Sequence, residues 1–195
     1  MTNQTQSRET YHHGSLPEVL IDEGAKLLAE KGIDRFSMRE VARRAGVAVA
    51  APSHHFGNAK GLLTAIATQG FRKLETQMAA AAAALPDPQE KVVAMCQTYL
   101  GMGVNDPGYA AIMFRLERLD ESDQRFREQS FRAFDLFADA LKQAASKHVD
   151  DAQISYAAKT LWAAMHGLVD LEMIKDQEAE ALIRFAVRTV LAGIR

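Results

Sequence analysis

The stretch 59–84 constrains this chain most: it is alanine-rich, holds no proline, and follows Gly57 and Asn58, a break with a good helix N-cap. It reads as one long helix joining two parts of the molecule. Helical signals continue on both sides. Ser15 to Glu18 is a capping box with Pro17 in the first turn, and Leu16, Leu20, Leu27 and Leu28 recur at helical spacing up to Gly32. A second box, Ser37 to Glu40, opens a short helix with Val41, Ala42 and Ala45 on one side and Gly46 as its stop. A third short helix is expected over 48–56, with Pro52 near its start, where the missing N–H does least harm.

Downstream, Pro86-Asp87-Pro88 and Asn105-Asp106-Pro107-Gly108 are turns that bracket a helix holding Val92, Val93, Met95, Cys96, Tyr99 and Leu100. Further helices are expected over 107–119, 122–147, 151–175 and 177–192. No alternating stretch is long enough for a strand, and there is no internal repeat or glycine-rich phosphate loop. The expected class is all-α, about nine helices in two units, 1–58 and 59–195.

With 48% hydrophobic and 25% charged residues, the chain can bury a core and needs no cofactor to fold. Its longest apolar run, Met78 to Leu85, is far short of the roughly 18 to 20 residues of a membrane crossing, so no membrane partner is expected. The first fifteen residues are polar with one Arg, match no secretory signal, and read as a loose arm. A lone cysteine, Cys96, forms no internal disulfide and builds no metal cluster, which points to a reducing cytoplasm and no metal.

The formal net charge of -2 hides an uneven distribution. Between residues 35 and 60 stand Arg35, Arg39, Arg43, Arg44 and Lys60 against the single acid Glu40, while His12, His13, His54 and His55 also fall in the first third. A nearby polyanion would favour the charged form of those imidazoles. A solvated basic face is the plain alternative. A short helix, a Gly-containing turn and a second short helix are the parts of a DNA-binding helix-turn-helix, whose second helix lies in the major groove. Val41, Ala42 and Val47 would pack the two helices together and leave the arginines outside for phosphates or base edges.

Phe36-Ser37-Met38-Arg39-Glu40-Val41-Ala42, Gly46-Val47, His54-His55-Phe56 and Leu62-Leu63 resemble the TetR/AcrR family of transcriptional regulators. Tyr11-His12-His13-Gly14 with Trp162, His166 and Gly167 is similar to a subgroup carrying a Trp-x-x-x-His-Gly segment. The resemblance implies a ligand-responsive regulator, a repressor released from a near-palindromic operator by a small, mostly apolar effector. It implies that Ser37 caps helix two and touches a phosphate, Arg39 reaches a phosphate or guanine edge, Val49, Ala50, Ala51 and His54 face bases, and His55 binds the backbone. Ala48, Ala50, Ser53 and Ala59 stand where the family commonly has Ser, Gly, Tyr and a phosphate-binding Lys, and Asn58 or Lys60 is the substitute for the last. His54-His55 as a metal pair fails on geometry, because neighbours on a helix point about 100° apart. The His12-His13 arm either stays solvated or reaches an adjacent groove.

In the second unit, Trp162, His166, Val169 and Met173 form one apolar stripe and Leu182, Phe185, Thr189 and Ala192 another, which suits a homodimer, since a C2 interface uses one patch twice. The alternative is an intrachain core. Met95, Tyr99, Met102, Met113, Phe114, Phe131, Phe134 and Phe137 supply adaptable and aromatic surface. By family analogy some of these line a pocket. Met95, Tyr99, Met102, Met113, Phe114, Phe134, Trp162 and His166 are the candidate ligand contacts, with core packing the alternative for each. His166, if buried, needs a partner, and Asp170, a backbone carbonyl or a ligand is available. Gly167 suggests a close approach by another helix or a ligand. Two other classes compete: an all-helical interaction module without DNA binding, and an enzyme, for which His166 with Asp170 is the best offer and no catalytic constellation emerges.

Overall fold

The computed structural model describes residues 15–171 and 178–194. Among these the chain forms nine α-helices and no strand: α1 (Leu16–Lys31), α2 (Met38–Arg44), α3 (Ala51–Phe56), α4 (Ala59–Ala83), α5 (Pro88–Asn105), α6 (Pro107–Met113), α7 (Gln124–Ala144), α8 (Asp151–Asp170) and α9 (Ala179–Gly193). The all-α expectation holds. No described helix is long and apolar enough to cross a membrane.

Local chemistry sets the ends. At α1 the Glu18 carboxylate accepts from the Ser15 N–H at 2.9 Å. At α4 the Asn58 side chain accepts from the Gly61 N–H at 3.0 Å, and Asp87, Asp123 and Asp150 do the same for α5, α7 and α8. Three expected helices are shorter than their signals, α7 among them at Gln124–Ala144 against the expected 122–147. α3 starts at Ala51 instead of residue 48, because Ala48 to Ala50 are spent in the turn that reverses the chain. The helix expected over 107–119 stops at Met113 and resumes only as a 3-10 turn, Leu116–Arg118. Another such turn, Ile33–Arg35, precedes α2. The arm with Tyr11, His12, His13 and Gly14, and Met173 with the ends of the last two expected helices, lie outside the described residues.

The long helix α4 packs against α1, α5, α6 and α7, so the core is continuous from Leu20, Leu27 and Val41 through Leu62, Ile66 and Leu74 to Met78, Leu141 and Leu161. Each of these is essentially sealed from water, and a buried leucine side chain contributes about 2 kcal/mol. Two glycines permit the tight packing. A Cβ on Gly108 of α6 would lie 1.8 Å from the Ala25 carbonyl oxygen of α1, and one on Gly61 of α4 would lie 2.0 Å from the Phe56 carbonyl oxygen of α3. Only the missing side chain lets these backbones meet.

Candidate functional site

Val41 and Ala42 are fully buried and Val47 partly so, which fastens α2 to α3 and leaves one face of the pair to solvent. Gly46 takes φ +67 in the turn between them, a conformation that L side chains rarely adopt. Ser37, Arg39, Val49, Ala50, Ser53, His54, His55, Asn58 and Lys60 are exposed and Ala51 is half-buried, with His55 turned toward the groove between α1 and α4. The predicted reading residues lie at the start of α2, in the turn, along α3 and at the start of α4.

The arginines differ from expectation. Arg44 binds Glu30 of α1 through both Nη atoms, at 2.9 and 2.6 Å, and its side chain is only 16% exposed. Arg43 chelates Glu40 at 2.9 and 2.7 Å, and Lys31 stands 3.7 Å from the same carboxylate. Hydrogen bonds from Arg43 first and then from Arg44 Nε at 3.3 Å hold the Glu40 carboxyl down to about 2. The second capping box accordingly fails to form: Glu40 faces cations, and the Ser37 hydroxyl makes no capping bond. Arg39 and Arg35 have no ion pair among the described residues and remain available to an anion. Asn58 commits its carbonyl oxygen to α4, so only its amide donors are left for a phosphate. His54 and His55 stand edge to face at 5.2 Å, and no group of metal-binding side chains occurs among the described residues.

A cavity of about 340 Å³ opens between α4, α5, α6 and α8. Tyr99, Met102, Met113, Phe114 and His166 line it, as do Leu74, Ala110, Val169, Arg115 and Asp170. The other three candidates stand behind the wall. Met95 packs with Met78, Cys96, Phe137 and Met165, where burial pushes the Cys96 thiol up to about 12, and the Phe134 ring lies 5.5 Å from Trp162. Trp162 in turn meets Tyr99 edge to face at 5.0 Å and supports it. His166 finds its partner in neither Asp170 nor a carbonyl: its Nδ1 lies 3.1 Å from the Tyr99 hydroxyl, and its ring rests 4.5 Å from Phe114. Arg115 and Asp170, 3.8 Å apart, make the mouth polar, so the lining is less uniformly apolar than the sequence suggested.

One short helix touches both regions. α6 turns Ala110 and Met113 toward the cavity, which its C-cap residue Phe114 also lines, while Gly108 and Tyr109 press on α1. Tyr109 donates to Asp22 of α1 at 2.6 Å, and Lys73 of α4 sits 4.9 Å over its ring while binding Asp106 at 2.7 Å. Just beyond, Arg118 reaches Asp34 at 3.1 Å and the Asp120 N–H donates to Thr64 of α4 at 2.9 Å.

On the far side, α8 and α9 leave an open apolar groove lined by Thr160, Ala164, Gly167, Leu168, Leu171, Leu182, Phe185 and Thr189, with Phe185 60% exposed. The α9 stripe faces outward as expected. The α8 stripe is displaced, because Trp162 and His166 turn inward to Tyr99 and the outward face is Thr160, Ala164, Gly167 and Leu171. Among the described residues nothing lies within 4 Å of where a Cβ on Gly167 would stand.

A small helix-turn-helix head fused to a helical body with its own ligand-sized cavity defines a one-chain regulator. Family comparison agrees. Residues 20–66 match the model described as bacterial regulatory proteins, tetR family, and residues 92–190 match the tetracyclin repressor-like C-terminal domain. The chain belongs to the TetR family, and is a ligand-responsive, DNA-binding transcriptional regulator of that family. It is 33% identical over 78 residues to the HTH-type transcriptional regulator BetI of Rhizobium meliloti (strain 1021), a match spanning 40% of this chain and 38% of that protein. Among solved structures, a protein with unknown function from Rhodococcus sp. RHA1 is similar at 27% identity and a TM-score of 0.78, covering 96% of this chain and 99% of that one. The fatty acid degradation regulator FadR from Bacillus halodurans shares the fold at 18% identity and a TM-score of 0.71, over 95% of this chain and 99% of its own.

Proposed function

We propose that this chain is a cytoplasmic repressor that grips a near-palindromic operator as a homodimer and lets go when a small effector fills the cavity between α4, α5, α6 and α8. It acts by binding alone, without turnover. Residues 1–58 form the reading unit and 59–195 the effector and dimer unit. Arg39 and Lys60 hold phosphates or a guanine edge, with Ser37, Ser53, His55 and Asn58 as lesser backbone contacts. Val49, Ala50, Ala51 and His54 meet bases, chiefly thymine methyls. Tyr99, Met102, Met113, Phe114 and His166 touch the effector, and the Trp162-x-x-x-His166-Gly167 segment marks a subgroup in which the Trp supports the pocket and the Gly clears the dimer face.

The observation that carries this reading is the double contact of α6, with the cavity on one side and the α1 backbone on the other. An effector that displaces Met113 or Phe114 moves Gly108 and Tyr109 against α1, and so the spacing of two reading heads. The groove along Leu171 and Phe185 supports a C2 partner, because an apolar face of that kind is stable only when covered. By linkage, the effector weakens operator binding by the factor with which operator weakens effector binding, about five- to 150-fold for a coupling of about 1–3 kcal/mol. Fluorescence anisotropy of a labelled operator, measured with and without a cavity-filling compound, tests this. Equal operator affinity in the presence of a compound that demonstrably occupies the cavity would contradict it.

A further inference from the structure

The cavity carries its own selectivity, set by one hydrogen bond. Tyr99 comes from α5 and His166 from α8, and the phenol oxygen lies 3.1 Å from His166 Nδ1. That hydroxyl has no other partner among the described residues, and burial raises its pKa above the ordinary phenol value, so it keeps its proton. A buried O–H with a single polar neighbour donates to it. Were Nδ1 the donor instead, the phenol hydrogen would have no acceptor among the described side chains. The pairing that satisfies both groups has Nδ1 accepting and the ring hydrogen on Nε2.

Nε2 makes no hydrogen bond to the described residues, yet no buried side-chain nitrogen or oxygen is left unpaired. In half-buried His166, on the cavity wall, that N–H is open to a guest. Arg115 at the mouth adds donors, since its contact with Asp170 is long at 3.8 Å and both side chains are more than half exposed. Leu74, Met102, Met113 and Phe114 supply the apolar wall. The inner polar group thus offers a hydrogen, while the rim holds one group of each kind, Arg115 as donor and the Asp170 carboxylate as acceptor.

Taking the cavity as the effector site, we propose that it selects a compact amphiphile with an acceptor head, a carbonyl or carboxylate received by His166 Nε2–H, with Arg115 matching a negative charge. A protonated amine presents donors only, meets a donor at His166 Nε2, and has only the solvated rim carboxylate of Asp170 to receive it. About 340 Å³ suits a ligand at the small end of the usual pocket range.

The test uses the intact protein and the fluorescence of Trp162, the one tryptophan, whose ring lies 5.0 Å from Tyr99. Octanoate, methyl octanoate and octylamine are titrated in parallel. Octanoate and its ester should bind about tenfold more tightly than the amine, the worth of one good hydrogen bond. Arg115→Gln should weaken octanoate and spare the ester. His166→Leu should weaken both, with its circular dichroism unchanged. Tyr99→Phe should narrow the preference over the amine, because the imidazole is then free to turn its lone pair inward, an effect that simple loosening of the pocket would not produce. Octylamine binding as tightly as octanoate, unaltered binding by folded His166→Leu, or binding by none of the probes overturns the proposal. Operator affinity is followed in the same samples. Acceptor-selective binding without operator release leaves this chemistry standing and refutes the effector role, whereas release by amines in preference to acids refutes the chemistry and leaves the effector role.

Discussion

Replacing Gly108 by Ala strikes the α6–α1 contact through which the proposed mechanism couples cavity and reading head. The new methyl would sit 1.8 Å from the Ala25 carbonyl oxygen, 2.6 Å from its carbon and 3.2 Å from its Cα. All three atoms are backbone inside α1, so no rotamer relieves the overlap, and α6 must withdraw by more than an ångström. Overpacking of this kind costs about 1–3 kcal/mol, and in a chain of this length about 2 kcal/mol lowers Tm by roughly 4–8 °C. Gly101→Ala is the matched control: its Cβ meets only the Asn105 side-chain nitrogen at 3.3 Å, and removing a mid-helix glycine from α5 gains up to about 1 kcal/mol. Differential scanning calorimetry and operator anisotropy on both variants read stability and affinity together. Gly108→Ala should melt lower and bind operator more weakly before any effector is added, while Gly101→Ala melts no lower than the parent. A Gly108→Ala protein that matches Gly101→Ala in both measurements refutes the reasoning, because the α6–α1 contact would then be slack.

Other perturbations separate the remaining parts. Arg39→Ala should leave Tm unchanged, lower operator affinity by about 1–3 kcal/mol and flatten its dependence on salt, as read by anisotropy across a salt series. Phe185→Glu places a charge in the open α8–α9 groove and should convert a dimer to a monomer in sedimentation velocity. At Asp106, burial raises the carboxyl, but hydrogen bonds from Lys73 and Gln77 outweigh it and hold the group below its ordinary value of 3.8. A depressed carboxyl stabilises the fold above its ordinary pKa and ceases to do so as pH falls through the depressed one. Asp106→Asn should therefore melt lower than the parent at neutral pH, with the gap closing under acid conditions below pH 3.8.

Local chemistry made much of this fold readable. The starts of α1 and α4 follow from Ser15, Glu18 and Asn58, whose partners lie three residues away, and the outward face of α9 follows from one clear stripe. What escaped was competition and distance. Glu40 had the spacing of a capping box, but Arg43, Arg44 and Lys31 outbid a backbone N–H for a carboxylate, and Arg44 found Glu30 across fourteen residues. α8 is apolar on two faces, and periodicity alone assigns neither to the inside; Trp162 and His166 turn inward because Tyr99, 67 residues from His166, stands there. The break at Phe114 carries no glycine or proline, so the end of α6 had no signal in the chain. Of the candidate ligand residues, five line the cavity and Met95, Phe134 and Trp162 pack behind it, a distinction of one residue layer that composition does not encode.

The central claim is that the α2–α3 head reads DNA, and selection of randomised duplexes on the purified protein tests it most directly, followed by binding of the enriched sequence against salt. A near-palindromic site, with affinity falling steeply as salt rises, is the predicted result. No enriched sequence, together with binding indifferent to salt, would contradict it and make the exposed face of α2 and α3 a surface for something other than nucleic acid.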